Sequence, residues 1–283
     1  MEKQIRNIIE AALAEDIGTG DITTQATVSR KKKGRAQAIA KDDFLIAGID
    51  VFAETFQLLD KSIKVKKLMN DGCRAKKGDV IAEVSGSLSN ILQAERVALN
   101  IFQRMSGIAT LTAKYVKAVR GSKAKILDTR KTMPGLRVLD KMAVRIGGGC
   151  NHRTGLYDGV LIKDNHIEAA GGITAAVKLQ RKRLSDNIKI EVETKNIKEV
   201  KEALKSCVDI IMLDNMSVPA MKKAVDFVAG RALLEASGNV SLQRVSEISA
   251  IGVDLISIGE LTHSVRAADI SLKIKAKPGA YRG

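Results

Sequence analysis

The chain has 283 residues, 45% of them hydrophobic, which suffices for one large core or for two domains of unequal size. Lys and Arg outnumber Asp and Glu by 47 to 32, a net charge of +15 that calls for a polyanionic partner. Aromatic residues are only 3% and Trp is absent, which leaves few stacking platforms for nucleic acid, and no apolar run approaches the ~18 residues of a transmembrane helix.

The N-terminal "MEKQIRNIIEAALAED" mixes charges through an amphipathic pattern, with Ile5, Ile8, Ile9 and Leu13 at helical spacing. It predicts a helix over 3–14 and, lacking an apolar h-region, does not read as a signal peptide. "EDIGTGDITT" (15–24) predicts a loop, and "RKKKGR" (30–35) a solvated loop rather than a nucleic-acid patch. From 34 to 88 short alternating runs predict strands, with turns at Asn70–Gly72 and Lys77–Asp79 and a helix inserted over 48–59. Residues 89–107 predict an amphipathic helix with Ser89 as N-cap and Gly107 as the break. The three cysteines, Cys73, Cys150 and Cys207, lie far apart and outside any metal or nucleophile motif, so free thiols in a reducing cytoplasm are expected.

After residue 120 the rhythm changes. "AKILDT", "YDGVLIKDN", "IKIEVET", "DIIMLDN", "ALLEASG" and "VDLISIG" alternate with helical patterns at about 136–146, 172–184, 197–206, 217–229, 241–250 and 262–268. Six β-then-α units imply a parallel sheet, and runs apolar on both faces imply strands buried on both sides. No dinucleotide fingerprint follows the first strand, so a closed or partly closed β/α barrel fits better than an open sheet.

Each run ends in chemistry. The first ends in Thr129, Arg130 and Lys131, the second in Lys163 to His166, the third in Glu193 to Lys195, and the fourth in Asp214 and Asn215. The fifth ends in Ser237, Gly238 and Asn239, the sixth in Ser257, Gly259 and Glu260 with His263 just after. In a parallel barrel these positions converge on the C-terminal face, where such enzymes act. Arg130, Lys131, Lys163, His152 and Arg153 supply positive charge, and an arginine fork suits carboxylates. Glu193 and Asp214 are hard oxygen ligands that can hold Mg²⁺ with water and phosphate oxygens, or else pair with Lys163 and Lys195. The small loops "ASGN" and "SIGELTHS" leave backbone N–H groups free for a phosphate. Ser237, His263 and Asp214 lack the G-x-S-x-G elbow of a serine hydrolase, and three histidines without HExxH spacing argue against zinc.

The blocks "EDIGTGDITT", "AERVALNIFQRMSGIAT", "DTRKTMPGLR", "AVRIGGGCNHRTGLYDGVLIKDNHI", "EVET", "IIMLDN", "LEASGN" and "GVDLISIGELTHS" run through nearly the whole chain. On them the chain resembles the quinolinate phosphoribosyltransferases, also called carboxylating nicotinate-nucleotide pyrophosphorylases. The resemblance implies a type II phosphoribosyltransferase-like α/β fold: an N-terminal α/β sandwich over 1–108, an incomplete (β/α) barrel over 109–268, and a tail, 269–283, returning to the sandwich. It implies reaction of quinolinate with phosphoribosyl pyrophosphate to give nicotinate mononucleotide, pyrophosphate and CO2, a step of de novo NAD biosynthesis, with Mg²⁺ required. By the same resemblance Arg104, Arg130, His152, Arg153 and Lys163 hold quinolinate. Lys131, Glu193, Asp214, Ser237, Gly238, Asn239, Ser257, Gly259 and His263 surround the phosphoribosyl pyrophosphate and its metal. Lys131, Lys163, Glu193 and Asp214 are the catalytic candidates, with the ring-protonating lysine left open between Lys131 and Lys163. The family pattern also implies a homodimer in which Arg104 reaches the neighbour's site, while the cysteines and the composition lead to the expectation of a cytoplasmic protein with no nucleic acid and no membrane as partner. Assembly beyond the dimer stays open, as does a related transferase acting on nicotinate.

Overall fold

The computed structural model describes residues 2–29, 31–183 and 188–275. By its internal contacts the chain divides into two compact units. One comprises 1–111, 132–148 and 264–283, the other 112–131 and 149–263. The stretch 132–148, expected within the barrel, groups instead with the first unit.

The first unit begins with helix α1 (Lys3–Ile17), whose Ile5, Ile9 and Leu13 are buried at helical spacing. The loop expected over 15–24 shrinks to 18–21, because Asp21 accepts the Thr24 N–H and starts α2 (Ile22–Thr27). Strand β1 (Lys33–Ala40) and the short β2 (Phe44–Leu45) lead into α3 (Ile49–Leu59). Strands β3 (Lys64–Lys67), β4 (Arg74–Ala75) and β5 (Val80–Ser87) then precede the long α4 (Leu88–Ala118). In β1 the buried positions Ala36, Ala38 and Ala40 alternate with partly exposed ones, the period-2 signature of a one-sided sheet. Phe52 and Phe56 of α3 meet edge-on at 5.1 Å, and Phe102 of α4 lies 5.2 Å from Phe52. Burying each such ring contributes about 2–3 kcal/mol.

Helix α4 does not break at Gly107. A Cβ there would stand 2.2 Å from the backbone carbonyl of Arg266, so the glycine is a point of close approach within a continuous helix. Ser89 accordingly lies inside the helix and is buried.

The second unit is built on strands β6 (Lys125–Leu127), β7 (Val160–Ile162), β8 (Ile190–Thr194), β9 (Ile210–Asp214), β10 (Leu233–Ser237) and β11 (Leu255–Ser257). Between β6 and β7 in sequence comes α5 (Arg137–Ile146), which belongs to the first unit and packs on α1. The other helices are α6 (Asp164–Ala170), α7 (Ile173–Arg181), α8 (Ile197–Lys205), α9 (Val218–Val228), α10 (Val245–Ala250) and α11 (Glu260–His263). The helix expected over 262–268 is this four-residue α11, and α6 was not anticipated. Strand β12 (Ile270–Lys275) pairs antiparallel with β1, completing a four-stranded sheet ordered β12-β1-β5-β3. The rest of the expected returning tail lies outside the described residues.

The six parallel strands are ordered β6-β11-β10-β9-β8-β7. Every sequential pair from β7 to β11 is adjacent, and only β6 and β7 stand at opposite edges. This is the order of a β/α barrel left open at one seam. Cys150 extends the β6 edge: its N–H donates to the Ile126 carbonyl (2.8 Å), and its own carbonyl accepts from Asp128 (3.2 Å).

Candidate active site

The six barrel strands end at a cavity of 540 Å³. Arg130 and Lys131 follow β6, His152 and Arg153 precede β7, and Lys163 follows it; Glu193, Asp214 and Ser237 come from β8, β9 and β10. Gly238 and Asn239 after β10, Ser257 at the end of β11, Gly259 after it and His263 at the end of α11 complete the expected lining. Thirteen side chains and loop positions proposed from sequence thus line one opening. Arg104 does not: it lies in the other unit, where its Nε and Nη2 donate to the two carboxylate oxygens of the fully buried Asp140 at 2.8 and 2.7 Å. This bidentate pair holds the guanidinium in a single orientation.

Arg130, Lys131, Arg153 and Lys163 bring four cations to the cavity wall. Burial, then the neighbouring Arg130, hold the Arg153 guanidinium below its ordinary range. Two guanidiniums so placed repel, and an anion bound between them relieves the repulsion. Arg153 Nη1 donates to the Gly159 carbonyl at 3.0 Å, which fixes its far end.

Of the two readings of the acid pair, part of the salt-bridge one is realised. Lys163 Nζ lies 3.2 Å from Glu193 Oε2. Lys195 turns away to the exposed Asp164 (3.1 Å) and lowers that carboxyl, while Asp214 accepts from the Asn215 amide at 2.8 Å. Glu193 and Asp214 remain hard oxygen donors on adjacent strands facing one cavity, a donor set suited to Mg²⁺ shared with substrate phosphates.

The small loops have tertiary reasons for their glycines. Gly238 adopts φ +82°, and a Cβ there would stand 2.2 Å from the Asn215 side-chain oxygen. A Cβ on Gly259 would come within 3.0 Å of both His263 and Lys131. Thr262 Oγ1 donates to the Lys131 carbonyl at 2.8 Å, tying the loop after β6 to that after β11.

Three acids of the site, Asp128, Glu191 and Glu235, escaped the sequence reading, and Glu260 was read only as a strand end. Asp128, fully buried at the end of β6, accepts from the His152 N–H at 2.9 Å and from the Asn151 side-chain amide. Glu260 accepts from the buried Tyr115 hydroxyl at 2.6 Å, and burial followed by this bond raises the phenol's pKa. Glu191 and Glu235 sit inside strands that otherwise read as apolar. An acid within a barrel strand was the available signal.

Glu191 Oε2 lies 2.9 Å and Glu235 Oε2 3.7 Å from His152 Nε2. His152 Nδ1 accepts the Arg153 N–H at 2.8 Å, so the ring proton resides on Nε2. That nitrogen therefore has no lone pair for a cation, and the cluster is a hydrogen-bonded one. Burial, reinforced by the Glu191 charge, pushes the Glu235 carboxyl up to about 8 from 4.5. Between those values the folded chain keeps a proton that the unfolded chain releases, so stability falls as pH rises through the interval. Glu235→Gln is expected to flatten this fall in thermal denaturation across that pH range. A slope unchanged by the substitution would contradict the assignment.

Comparison with known proteins agrees with this geometry. Family models described as quinolinate phosphoribosyl transferase, N-terminal domain and C-terminal domain, match residues 21–106 and 108–273. A Nicotiana tabacum relative named quinolinate phosphoribosyltransferase [decarboxylating] 2b, mitochondrial, is 48% identical over 95% of this chain and 82% of its own length. A Bacillus subtilis relative, named a probable nicotinate-nucleotide pyrophosphorylase [carboxylating], is 41% identical over 96% of this chain and 93% of its own. The crystal structure of nicotinate-nucleotide pyrophosphorylase from Ehrlichia chaffeensis superposes with a TM-score of 0.93 at 43% identity, covering 97% of this chain and all of that one. With both domains matched in order and relatives this similar over nearly its whole length, the chain belongs to the quinolinate phosphoribosyltransferase family.

Proposed function

We propose that this chain transfers phosphoribosyl from phosphoribosyl pyrophosphate to quinolinate with loss of CO2, yielding nicotinate mononucleotide and pyrophosphate for de novo NAD biosynthesis. The observation that carries the reading is the convergence of Arg130, Arg153, Lys131 and Lys163 with Glu193 and Asp214 on one cavity floored by buried groups. Clustered cations lower the cost of bringing a dicarboxylate and a polyphosphate together. Arg130 and Arg153 bind the carboxylates, while the loops at 237–239 and 257–259 present backbone N–H groups to phosphate oxygens.

The ring nitrogen attacks the anomeric carbon as its bond to pyrophosphate breaks. Lys131 stabilises charge on the departing oxygens, and Glu193 or Asp214 faces the cation-like ribose carbon. Mg²⁺ held by Glu193 and Asp214, directly or through water, would neutralise further pyrophosphate charge. Once CO2 leaves, the electron pair remaining on the ring carbon takes a proton from Lys131 or Lys163. In the resting site Lys163 is engaged by Glu193.

The direct test is incubation with both substrates and Mg²⁺, following CO2 release and mononucleotide. Nicotinate in place of quinolinate is expected to be a poor substrate, because one carboxylate leaves a guanidinium uncompensated. Equal turnover of nicotinate would favour the related transferase. Chelation by EDTA is expected to stop turnover and added Mg²⁺ to restore it.

The working form we propose is a cytoplasmic homodimer in which Arg104 serves the neighbour's cavity. Support comes from the bidentate pairing with Asp140 that holds the Arg104 guanidinium in one orientation, and for location from the free state of all three cysteines. If sites are shared, Arg104→Ala and Lys131→Ala chains, each inactive, should recover about a quarter of full activity on mixing and reassembly. No recovery would argue for unshared sites.

A further inference from the structure

The His152 imidazole is engaged at both nitrogens before any ligand arrives. Its backbone N–H donates to Asp128 Oδ1 (2.9 Å), its Nδ1 accepts the Arg153 N–H (2.8 Å), and its Nε2–H points to Glu191 Oε2 (2.9 Å). Glu191 lies on β8 two residues before Glu193, on the same face of the strand but one layer deeper. It is only 4% exposed, does not line the cavity, and is held beside the fully buried Glu235.

This chain of contacts has a direction. It starts at an acid that cannot reach the substrate, passes through an imidazole with two committed nitrogens, and ends on the backbone of the residue bearing a substrate-facing guanidinium. We infer that Glu191 is a positioning residue for dicarboxylate recognition: through the His152 ring it sets the backbone at residue 153 and so aims the Arg153 guanidinium. His152 then acts as a strut between Glu191 and the Arg153 backbone. An imidazole suits this task because one rigid ring offers an acceptor on one side and a donor on another. Displacing a clamp by about 1 Å can cost on the order of 100-fold in rate, so the strut has leverage. The inference rests on the quinolinate reading of the cavity.

Two measurements test it. The chain has three histidines, so ¹⁵N-histidine labelling gives a resolvable spectrum of the intact protein without substrate. His152 is expected as the neutral Nε2–H tautomer, with that proton lost or fast-exchanging in Glu191→Ala; a ring protonated on Nδ1 in the wild type overturns the strut. In the second, Glu191→Ala is expected to raise the dissociation constant and KM for quinolinate about 10- to 100-fold, with KM for phosphoribosyl pyrophosphate within about twofold, as for loss of an outer-shell partner. Glu191→Gln, which still offers an acceptor to Nε2–H, should recover most of the loss and also covers a poorly folding alanine variant. Unchanged quinolinate binding in Glu191→Ala, equal weakening of both substrates, or no rescue by glutamine would each refute the inference. If the wild type binds no quinolinate, the functional reading fails while the tautomer measurement still decides the strut.

Discussion

Arg130→Ala is expected to lower kcat/KM for quinolinate by about 10²–10³-fold in a variant that still folds. A desolvated charge-assisted contact to a carboxylate is worth roughly 2–5 kcal/mol, and about 1.4 kcal/mol corresponds to tenfold. In the resting site burial, and then the charge of Arg130, hold the Arg153 guanidinium below its ordinary range. Arg153→Ala is expected to cost as much activity, with a modest fall in stability because the bond to the Gly159 carbonyl goes too. Near-normal quinolinate turnover in either variant would remove both residues from the carboxylate clamp.

Gly107→Ala should lower thermal stability although helix propensity alone predicts the reverse. In mid-helix, alanine is favoured over glycine by about 1 kcal/mol. The added Cβ would meet the Arg266 carbonyl oxygen at 2.2 Å, and a backbone atom cannot swing aside as a side chain can. Overpacking of this kind costs typically 1–3 kcal/mol and more when the backbone must move, which outweighs the propensity gain. The expected net loss is about 2 kcal/mol, or roughly 5 °C for a chain of this size, read by calorimetry. A variant more stable than the wild type would show that the segment carrying Arg266 packs more loosely on α4 than the structure has it.

Much of the site was open to reading from the sequence, for a local reason. Strands buried on both faces are short apolar runs, and the first polar residues after them mark the rim of a parallel barrel. Arg130, Lys131, Lys163, Glu193, Asp214 and Ser237 all stand at such ends, so apolar patterning alone places them in one cavity. The long blocks around them carry the family resemblance, and with it the identity of the substrates.

Other features depend on which distant residues meet. Asp128, Glu191 and Glu235 lie on three strands more than 40 residues apart, and only strand register and barrel curvature bring two of them to one histidine. From sequence, His152 reads as a free cation, whereas the fold gives both its nitrogens partners. Gly107 reads as a helix break because local propensity says so, and the approach of the Arg266 backbone overrides it. Residues 132–148 follow a barrel strand yet group with the other unit, because contacts rather than chain order define a core. The sequence by itself determined the β/α rhythm, the charged rim and the family, all set by short-range patterning. The tertiary structure alone decided which buried acids meet His152, since contacts between strands far apart in the chain are specified by three-dimensional proximity rather than by local pattern.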